Sequence, residues 1–234
     1  MVVAIGAVGW TMLPDPEPTA DQLNRSVVLR LRDHPQVEFV DLHTGFDLEE
    51  MTDDGLHPNA VGSEQIARTW LDALDRTGRR GLPGTQRVMP LGDSITAWSY
   101  RDHLAKMLDE QGWNVDMVGS LSDVADPDGG VPDSNDDLDH EGHPGWTTAN
   151  LLEGNPDEPE RGSLDDWISA DPDIVLLHIG TNDLFWTADG TEAIAERVER
   201  IVNTLTEDEP DRLVMVAEII PFATELVDIY VGDA

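Results

Sequence analysis

The segment Asp54–Asn59 reads DGLHPN and places an acid three residues before a histidine. Asp54 is close enough in the chain to orient the ring of His57, which leaves the second ring nitrogen to take a proton from a nucleophile. A single histidine is more often a surface or helix-capping residue, so the pair needs a nucleophile beside it in the fold. The spacing therefore predicts a general base, His57, and its orienting acid, Asp54.

A second segment, RVMPLGDSITAW at 87–98, puts a serine at the end of an apolar run and at the start of a predicted helix. A serine in that position exposes its hydroxyl, and its own backbone N–H can donate to an oxyanion. Gly-Asp-Ser is also ordinary turn and helix-cap chemistry. Ser94 is the candidate nucleophile, and Asp93 is a candidate substrate contact.

Two further segments supply hydrogen-bond donors. DIVLLHIGTNDLFW at 173–186 ends a buried strand in Asn182, whose amide can donate to developing negative charge without titrating. DHEGHPGWTT at 139–148 contains Gly145, where a bare backbone N–H can approach a substrate oxygen. Alternatively, Asn182 only caps the next helix and Gly145 is only a loop glycine.

Together the four segments resemble the SGNH or GDSL hydrolase superfamily, with Ser in GDS, a glycine, Asn in GTND and a terminal Asp-x-x-His. RVMPLGDSIT, DHEGHPGW, LLHIGTNDL and DGLHPNAVG look most like the acetylxylan esterases of carbohydrate esterase family 3. The resemblance implies a three-layer α/β/α sandwich of flavodoxin-like type, with a mainly parallel sheet of five strands or six. It also implies Ser94 as the nucleophile, His57 as the base and Asp54 as the acid that orients it. The implied oxyanion donors are the backbone N–H groups of Ser94 and Gly145 and the side-chain amide of Asn182.

The order of these segments departs from the family, because DGLHPN precedes GDSIT instead of closing the domain. We expect a circularly permuted single domain over 1–234, in which 1–75 is the permuted C-terminal half, 76–86 is a linker and 87–234 is the N-terminal half. A linker of about ten residues reaches roughly 30 Å, enough to join the former ends. The alternatives are the tail of one esterase domain fused to the head of the next, or halves that close between two chains as a swapped homodimer.

Short β-rich runs alternate with helical patterns along the chain, which is typical of a parallel sheet with crossover helices. The predicted strands are Val2–Ala7, Val37–Leu42, Arg87–Leu91, Val115–Val118, Asp173–Ile179 and Leu213–Ile220. The predicted helices, with apolar residues three and four apart, are Ala20–Arg32, Ala60–Leu74, Tyr100–Gln111 and Thr191–Leu205.

The composition limits the partners. With 14 basic and 48 acidic residues the net charge is −34, so a nucleic-acid partner is not expected, and the acid excess resembles proteins of salt-loving organisms. The apolar start MVVAIGAVGW lacks a basic n-region, a cleavage site and the length of a membrane span, so no membrane partner is expected. The absence of cysteine leaves the compartment undecided, although the family resemblance suggests secretion.

Other residues carry weaker predictions. His143, Trp146 and Trp98 are candidate substrate contacts beside the motifs, with loop bracing and core packing as the alternatives. His178 lies inside a predicted strand, where a hydrogen-bonded core residue is expected. The acidic loop 123–139 offers oxygen ligands for calcium, but a solvated acidic face is the favoured interpretation, and no metal or cofactor is required.

The function expected from these patterns is a serine esterase that removes acetyl or other short acyl groups from carbohydrate such as acetylated xylan, through an acyl-enzyme. Within the superfamily, a lipase, thioesterase or arylesterase remains an alternative, since the motifs do not fix the acyl group. From another class, a non-catalytic carbohydrate-binding domain or a fragment that needs a partner chain also remains open. The expected ligand is a small-molecule or polysaccharide ester, and the chain is expected to be a monomer or a swapped homodimer.

Overall fold

The computed structural model describes residues 16–122 and 137–223. The predicted strand Val2–Ala7 and residues 123–136 of the acidic loop lie outside the described residues. The two interpretations of that loop, a calcium site or a solvated acidic face, therefore stay predictions. Within the described ranges, no helix combines the length and the apolar character needed to cross a bilayer.

In the described part of the chain, a six-stranded sheet forms the centre of the fold, and all pairings between its strands are parallel. The strands are β1 Val37–Val40, β2 Gln86–Gly92, β3 Val115–Met117, β4 Glu141–Gly142, β5 Ile174–His178 and β6 Leu213–Ala217. The strand order is β1-β6-β5-β2-β3, and β4 pairs with the end of β2 on the same side as β3. This confirms the predicted mainly parallel sheet. The sixth strand is β4, which was not predicted, because the other predicted strand, Val2–Ala7, lies outside the described residues.

Helices cover both faces of the sheet and complete the α/β/α sandwich. The four predicted helices are confirmed with shifted ends as α1 Pro16–Leu31, α3 Ala60–Arg76, α5 Arg101–Glu110 and α9 Thr191–Thr206. The first and last of these pack together on one face, and the other two pack together on the opposite face. The described residues contain five shorter helices, of which only the start of α4 at Ser94 was predicted: α2 Leu48–Met51, α4 Ser94–Trp98, α6 Thr148–Glu153, α7 Leu164–Trp167 and α8 Thr181–Trp186.

The core explains why the central strands read as continuous apolar runs. Every residue of β5 is buried, and alternate side chains enter the two core clusters. Val175 and Leu177 pack toward α1 and α9, whereas Ile174 and Leu176 pack toward α3 and α5. A parallel strand covered on both faces has no polar side, which is the pattern the sequence shows.

The segment on the N-terminal side of the predicted linker belongs to the same sheet as the segment that follows it. α3 ends at Arg76, a short 3-10 turn spans Arg79–Gly81, and β2 begins at Gln86. β1 lies beside β6 with Val37 opposite Val214. The predicted linker 76–86 therefore connects α3 to β2, with its first residue ending the helix and its last residue opening the strand. The circular permutation and the division into halves stay predictions.

Candidate active site

The predicted site residues lie on loops that meet at the carboxyl edge of the sheet. Ser94 follows β2, Asn182 follows β5, and Gly145 lies in the loop between β4 and α6. Asp54 and His57 lie between α2 and α3, in the connection that follows β1. Because parallel strands end at one edge, side chains distant in sequence converge there, as in other open α/β sheets.

Asp54, His57 and Ser94 form one hydrogen-bonded row. The Nδ1 of His57 lies 2.7 Å from Oδ2 of Asp54, and its Nε2 lies 3.1 Å from Oγ of Ser94. The other carboxylate oxygen of Asp54 accepts the backbone N–H groups of Leu56 and His57, at 2.8 and 2.7 Å. The ring of His57 is thereby fixed with one nitrogen toward the acid and the other toward the serine.

The hydrogen bonds to Asp54 also set its charge state. Partial burial acts to raise the pKa of Asp54, but the hydrogen bonds from the His57 side chain and from the backbone of His57 and Leu56 outweigh it. The net effect lowers the pKa of Asp54 below its ordinary 3.8. The acid is therefore a carboxylate at neutral pH, as an orienting acid must be.

The loop that carries His57 is held by the start of α3. Asn59 caps this helix by accepting the N–H groups of Val61 and Gly62, and its own N–H donates to the carbonyl of Met51 at 2.9 Å. Trp98, which is half-buried, packs against His57, with its ring centroid 5.3 Å from that of His57. The structure therefore brings Trp98 into the site, against the predicted base.

The residues before Ser94 shape the turn from strand to helix. Asp93 is the N-cap of α4 and accepts the N–H of Ile95 at 3.0 Å. A Cβ on Gly92 would lie 2.1 Å from the carbonyl oxygen of His178, so only glycine fits between the two strands there. Ser94 itself, 8% exposed, begins α4, and the first N–H groups of a helix have no acceptor within it.

Gly145 occupies the tip of a tight turn. The N–H of Trp146 donates to the carbonyl of His143 at 3.1 Å, Pro144 takes the second position, and Gly145 has φ of 79°. Proline followed by a residue of positive φ is the pattern of a type II turn, which explains why glycine is needed. The turn is fixed to β2, because the N–H of His143 donates to the carbonyl of Gly92 at 2.8 Å. Gly145 is exposed at the edge that carries Ser94.

Asn182 is held at both ends of its amide. Its Nδ2 donates to the carbonyl of Trp146 at 2.9 Å, and its Oδ1 accepts the indole N–H of Trp186 at 3.2 Å. This pair of bonds fixes which end of the amide is the donor and leaves the second Nδ2 hydrogen for another acceptor. Sequence analysis missed this bond, and the signal that could have found it is the one-turn spacing of Asn182 and Trp186.

Three residues that were predicted to contact substrate are buried, which corrects those predictions. His143, Trp146 and Asp93 are 0%, 1% and 1% exposed, so none presents a surface to a ligand in this structure. The ring of His143 stacks between Trp146 and Trp167, at centroid distances of 4.3 and 4.5 Å, and its Nε2 lies 3.1 Å from Glu141. His143 and Trp146 brace the loop under Gly145, the alternative that the sequence had left open.

The prediction for His178 is wrong in one respect. It is a core residue, but neither ring nitrogen has a hydrogen-bond partner within residues 16–122 and 137–223. Its Nδ1 lies 3.9 Å from Oδ1 of Asp93, beyond hydrogen-bond range. Burial lowers the pKa of His178 to about 4. Burial, with a smaller contribution from the nearby Asp183 carboxylate, raises the pKa of Asp93 to about 7 against the hydrogen bond from Ile95.

Several known proteins are similar to this chain. The chain is 36% identical over 143 residues to a multidomain esterase of Ruminococcus flavefaciens, a match that covers 54% of this chain and 18% of that protein. Among solved structures, a mutant acetyl esterase with an acetate ion superposes with a TM-score of 0.52 and 27% identity, over 63% of this chain and 71% of that one. A carbohydrate esterase family 3 protein from Talaromyces cellulolyticus gives the same TM-score and coverage with 28% identity.

The family model described as GDSL-like lipase/acylhydrolase matches residues 91–230, more than half of the chain. The matched range contains Ser94, Gly145 and Asn182, whereas Asp54 and His57 precede it. Because this match spans more than half of the chain, the chain belongs to the GDSL-like lipase/acylhydrolase family.

Proposed function

We infer that this protein is a serine esterase that removes acetyl groups from carbohydrate such as acetylated xylan. The observation that carries the inference is the row Asp54–His57–Ser94, with bonds of 2.7 and 3.1 Å. A base that is oriented by an acid and in contact with a hydroxyl is the arrangement that turns serine into a nucleophile at neutral pH.

The proposed reaction has two acyl-transfer steps. Ser94 Oγ attacks the ester carbonyl carbon while Nε2 of His57 takes its proton, and that proton passes to the departing sugar oxygen as the ester bond breaks. Water then attacks the acyl-enzyme, His57 takes the proton of the water, and the proton returns to Ser94 as acetate leaves. Asp54 keeps the ring of His57 in one tautomer and stabilises its charged form.

The negative oxygen formed in each step needs donors that are already in place. The backbone N–H groups of Ser94 and Gly145, together with the remaining Nδ2 hydrogen of Asn182, are the proposed donors. Donors fixed in advance cost no reorganisation when charge develops, which is why such groups contribute heavily to rate. The bonds that fix Asn182 and the turn of Gly145 support this assignment.

The acetyl and carbohydrate specificity rests on the relatives. An acetyl esterase and a carbohydrate esterase family 3 protein are among the similar solved structures, and a multidomain esterase is similar in sequence. The family model includes lipases, so a longer acyl group is the second candidate. The two half-covered or exposed aromatic rings at the site, Trp98 and Trp186, suit a sugar face.

Removing the amide of Asn182 tests the proposed oxyanion site. Loss of one such donor costs about 3 to 4 kcal/mol of barrier, so Asn182→Ala is expected to lower kcat by about 100- to 1,000-fold. The measurement is the rate of p-nitrophenyl acetate hydrolysis in high salt, with a melting curve to confirm folding. Near-normal turnover in a folded Asn182→Ala variant would refute the role of Asn182.

Substrate class is tested by comparing acetate release from acetylated xylan with hydrolysis of p-nitrophenyl acetate and p-nitrophenyl octanoate. Release of acetate from xylan, with slow cleavage of the octanoate, is the expected result. Faster cleavage of the octanoate would instead favour a lipase. Binding to xylan with no hydrolysis of any ester would favour a carbohydrate-binding domain.

A further inference from the structure

A buried carboxylate lies directly beside the proposed oxyanion donors. Asp183 follows Asn182 in α8 and is 0% exposed. Its oxygens accept the backbone N–H of Thr148 at 2.8 Å, the hydroxyl of Thr148 at 2.5 Å and the guanidinium of Arg197 at 3.0 Å. Asp183 and Thr148 lie in two separate sequence segments and Arg197 lies on α9, so local spacing does not connect the three residues.

Arg197 donates hydrogen bonds to both Thr148 and Asp183. Its Nε donates to the hydroxyl of Thr148 at 2.7 Å, so it contacts both partners of that hydrogen bond. Its outer nitrogen also pairs with Asp189 at 2.9 Å, and its side chain is only 16% exposed. An unpaired carboxylate in a dry interior is costly, and Arg197 offsets that cost for Asp183.

These bonds join the two loops that carry the proposed donors. Thr148 lies three residues after Gly145, and Asp183 lies one residue after Asn182. Between them, Nδ2 of Asn182 donates to the carbonyl of Trp146 at 2.9 Å. Neighbouring hydrogen bonds, from Asn182 to Trp146 and from Thr148 to Asp183, therefore fix the distance between the Gly145 turn and the start of α8. A shift of about 1 Å at a reacting centre is enough to cost about 100-fold in rate.

We propose that Asp183, Thr148 and Arg197 are positioning residues that set the distance between the Gly145 N–H and the Asn182 amide. The proposal rests on the proposed function, since it assigns a role to residues that hold the oxyanion donors. The three side chains touch no substrate, and they act only through the two loops.

α9 offers a matched control for Arg197. Arg200, one turn further along, pairs with Glu153 at the end of α6 over 3.7 Å, and the two side chains are 53% and 69% exposed. Exposed pairs of this kind contribute little to stability. Arg200→Ala removes the same type of side chain from the same helix without touching Asp183.

The experiment compares wild type with Thr148→Val, Arg197→Ala and Arg200→Ala in high salt. The readouts are kcat and KM for p-nitrophenyl acetate, the melting temperature, and the inhibition constant of a trifluoromethyl ketone. Ser94 Oγ adds to the carbonyl carbon of this ketone, the proton goes to His57, and the carbonyl oxygen becomes an oxyanion that the donors must hold. The inhibition constant therefore reports on the oxyanion donors independently of turnover.

We expect Thr148→Val and Arg197→Ala to lower kcat by about 10- to 100-fold with KM unchanged, and to weaken the ketone by a similar factor. Arg200→Ala is expected to match wild type in all four quantities. If Arg197→Ala fails to fold, Thr148→Val, which is nearly isosteric, carries the test. Normal kcat and normal ketone inhibition in folded variants, even with a lower melting temperature, would overturn the positioning role while leaving the proposed function intact. A wild-type protein that neither hydrolyses the ester nor binds the ketone would overturn both.

Discussion

Two buried ionisable side chains near Ser94, those of Asp93 and His178, have pKa values that are shifted in opposite directions. Asp93 and His178 are 1% and 0% exposed, and burial favours the uncharged form of each. Oδ2 of Asp93 and both ring nitrogens of His178 have no hydrogen-bond partner in the described part of the chain. With pKa values of about 7 and about 4, both groups are neutral between those two limits. In that range Asp93, the residue before Ser94, carries no negative charge.

The two groups give opposite dependences of stability on pH. Asp93 binds its proton more tightly in the folded state than its ordinary pKa of 3.8 allows, so its contribution to stability falls as pH rises from 3.8 to about 7. His178 binds its proton less tightly than its ordinary pKa of 6.5 allows, so its contribution is present above 6.5 and is lost as pH falls to about 4. Over most of this window the two effects oppose each other.

Replacing Asp93 with asparagine removes one of these effects and exposes the other. We expect the free energy of unfolding of Asp93→Asn, relative to wild type, to increase as pH rises from about 4 to about 7. Urea denaturation in high salt at several pH values measures it. A difference between the two proteins that does not change with pH would show that Asp93 is already ionised in the folded state.

The catalytic candidates could be predicted from sequence because each sits in a short local motif. Asp54 and His57 are three residues apart, and Ser94 and Asn182 each follow an apolar strand. The burial of His143 and the isolation of His178 could not be predicted, because they depend on which aromatic and acidic residues pack around them. Local spacing carries no information on such contacts.

Among the elements, α3 and the loop before it determine where His57 lies. A Cβ added at Gly62 would lie 2.3 Å from the backbone oxygen of Met51 and 3.1 Å from Cβ of Pro58. The oxygen is a backbone atom at the end of α2, so it cannot move away as the tip of a flexible side chain would. The close approach of helix to loop therefore requires glycine.

Gly62→Ala should force α3 and the His57 loop apart. We expect a lower melting temperature and a fall in kcat of about tenfold or more, since small displacements of a base are costly. Gly81→Ala is the control, because a Cβ there meets nothing within 4 Å. Wild-type kcat for p-nitrophenyl acetate in Gly62→Ala would mean that the loop adapts without displacing His57.

Elements with a clear hydrophobic period were predictable, and elements defined by tertiary contacts were not. The long helices α3 and α9 have apolar faces at helical spacing, and β5 is a continuous apolar run. β4 has only two residues, and it is a strand only because it pairs with the end of β2. α4 and α8 are single turns that start where strands end, which periodicity cannot detect.

For the whole molecule, the net charge of −34 sets the conditions under which the fold is stable. Like charges on one surface repel, and salt screens them, since the Debye length falls from about 10 Å at 0.1 M to about 3 Å at 1 M. We expect the melting temperature to rise as sodium chloride is raised over this range. A melting temperature that stays constant or falls would contradict dominant self-repulsion.

The two predicted halves contact each other within this chain. His57 precedes the linker and Ser94 follows it, and Nε2 of His57 lies 3.1 Å from Oγ of Ser94. β1 and β6 likewise pair across the chain. The same contacts would form between two chains if the linker exchanged partners, as in a swapped homodimer. Circular permutation remains our proposal for the order of the motifs, because β1, α3 and their loop complete a sheet and a site that the later residues begin.

The most direct test of the account is hydrolysis of p-nitrophenyl acetate in high salt, for wild type, Ser94→Ala and His57→Ala, over a series of protein dilutions. The account predicts constant specific activity for wild type on dilution and loss of activity in both variants. Specific activity that falls on dilution would place the closing of the site between chains. Undiminished activity in folded Ser94→Ala would contradict the central claim that Ser94 is the nucleophile.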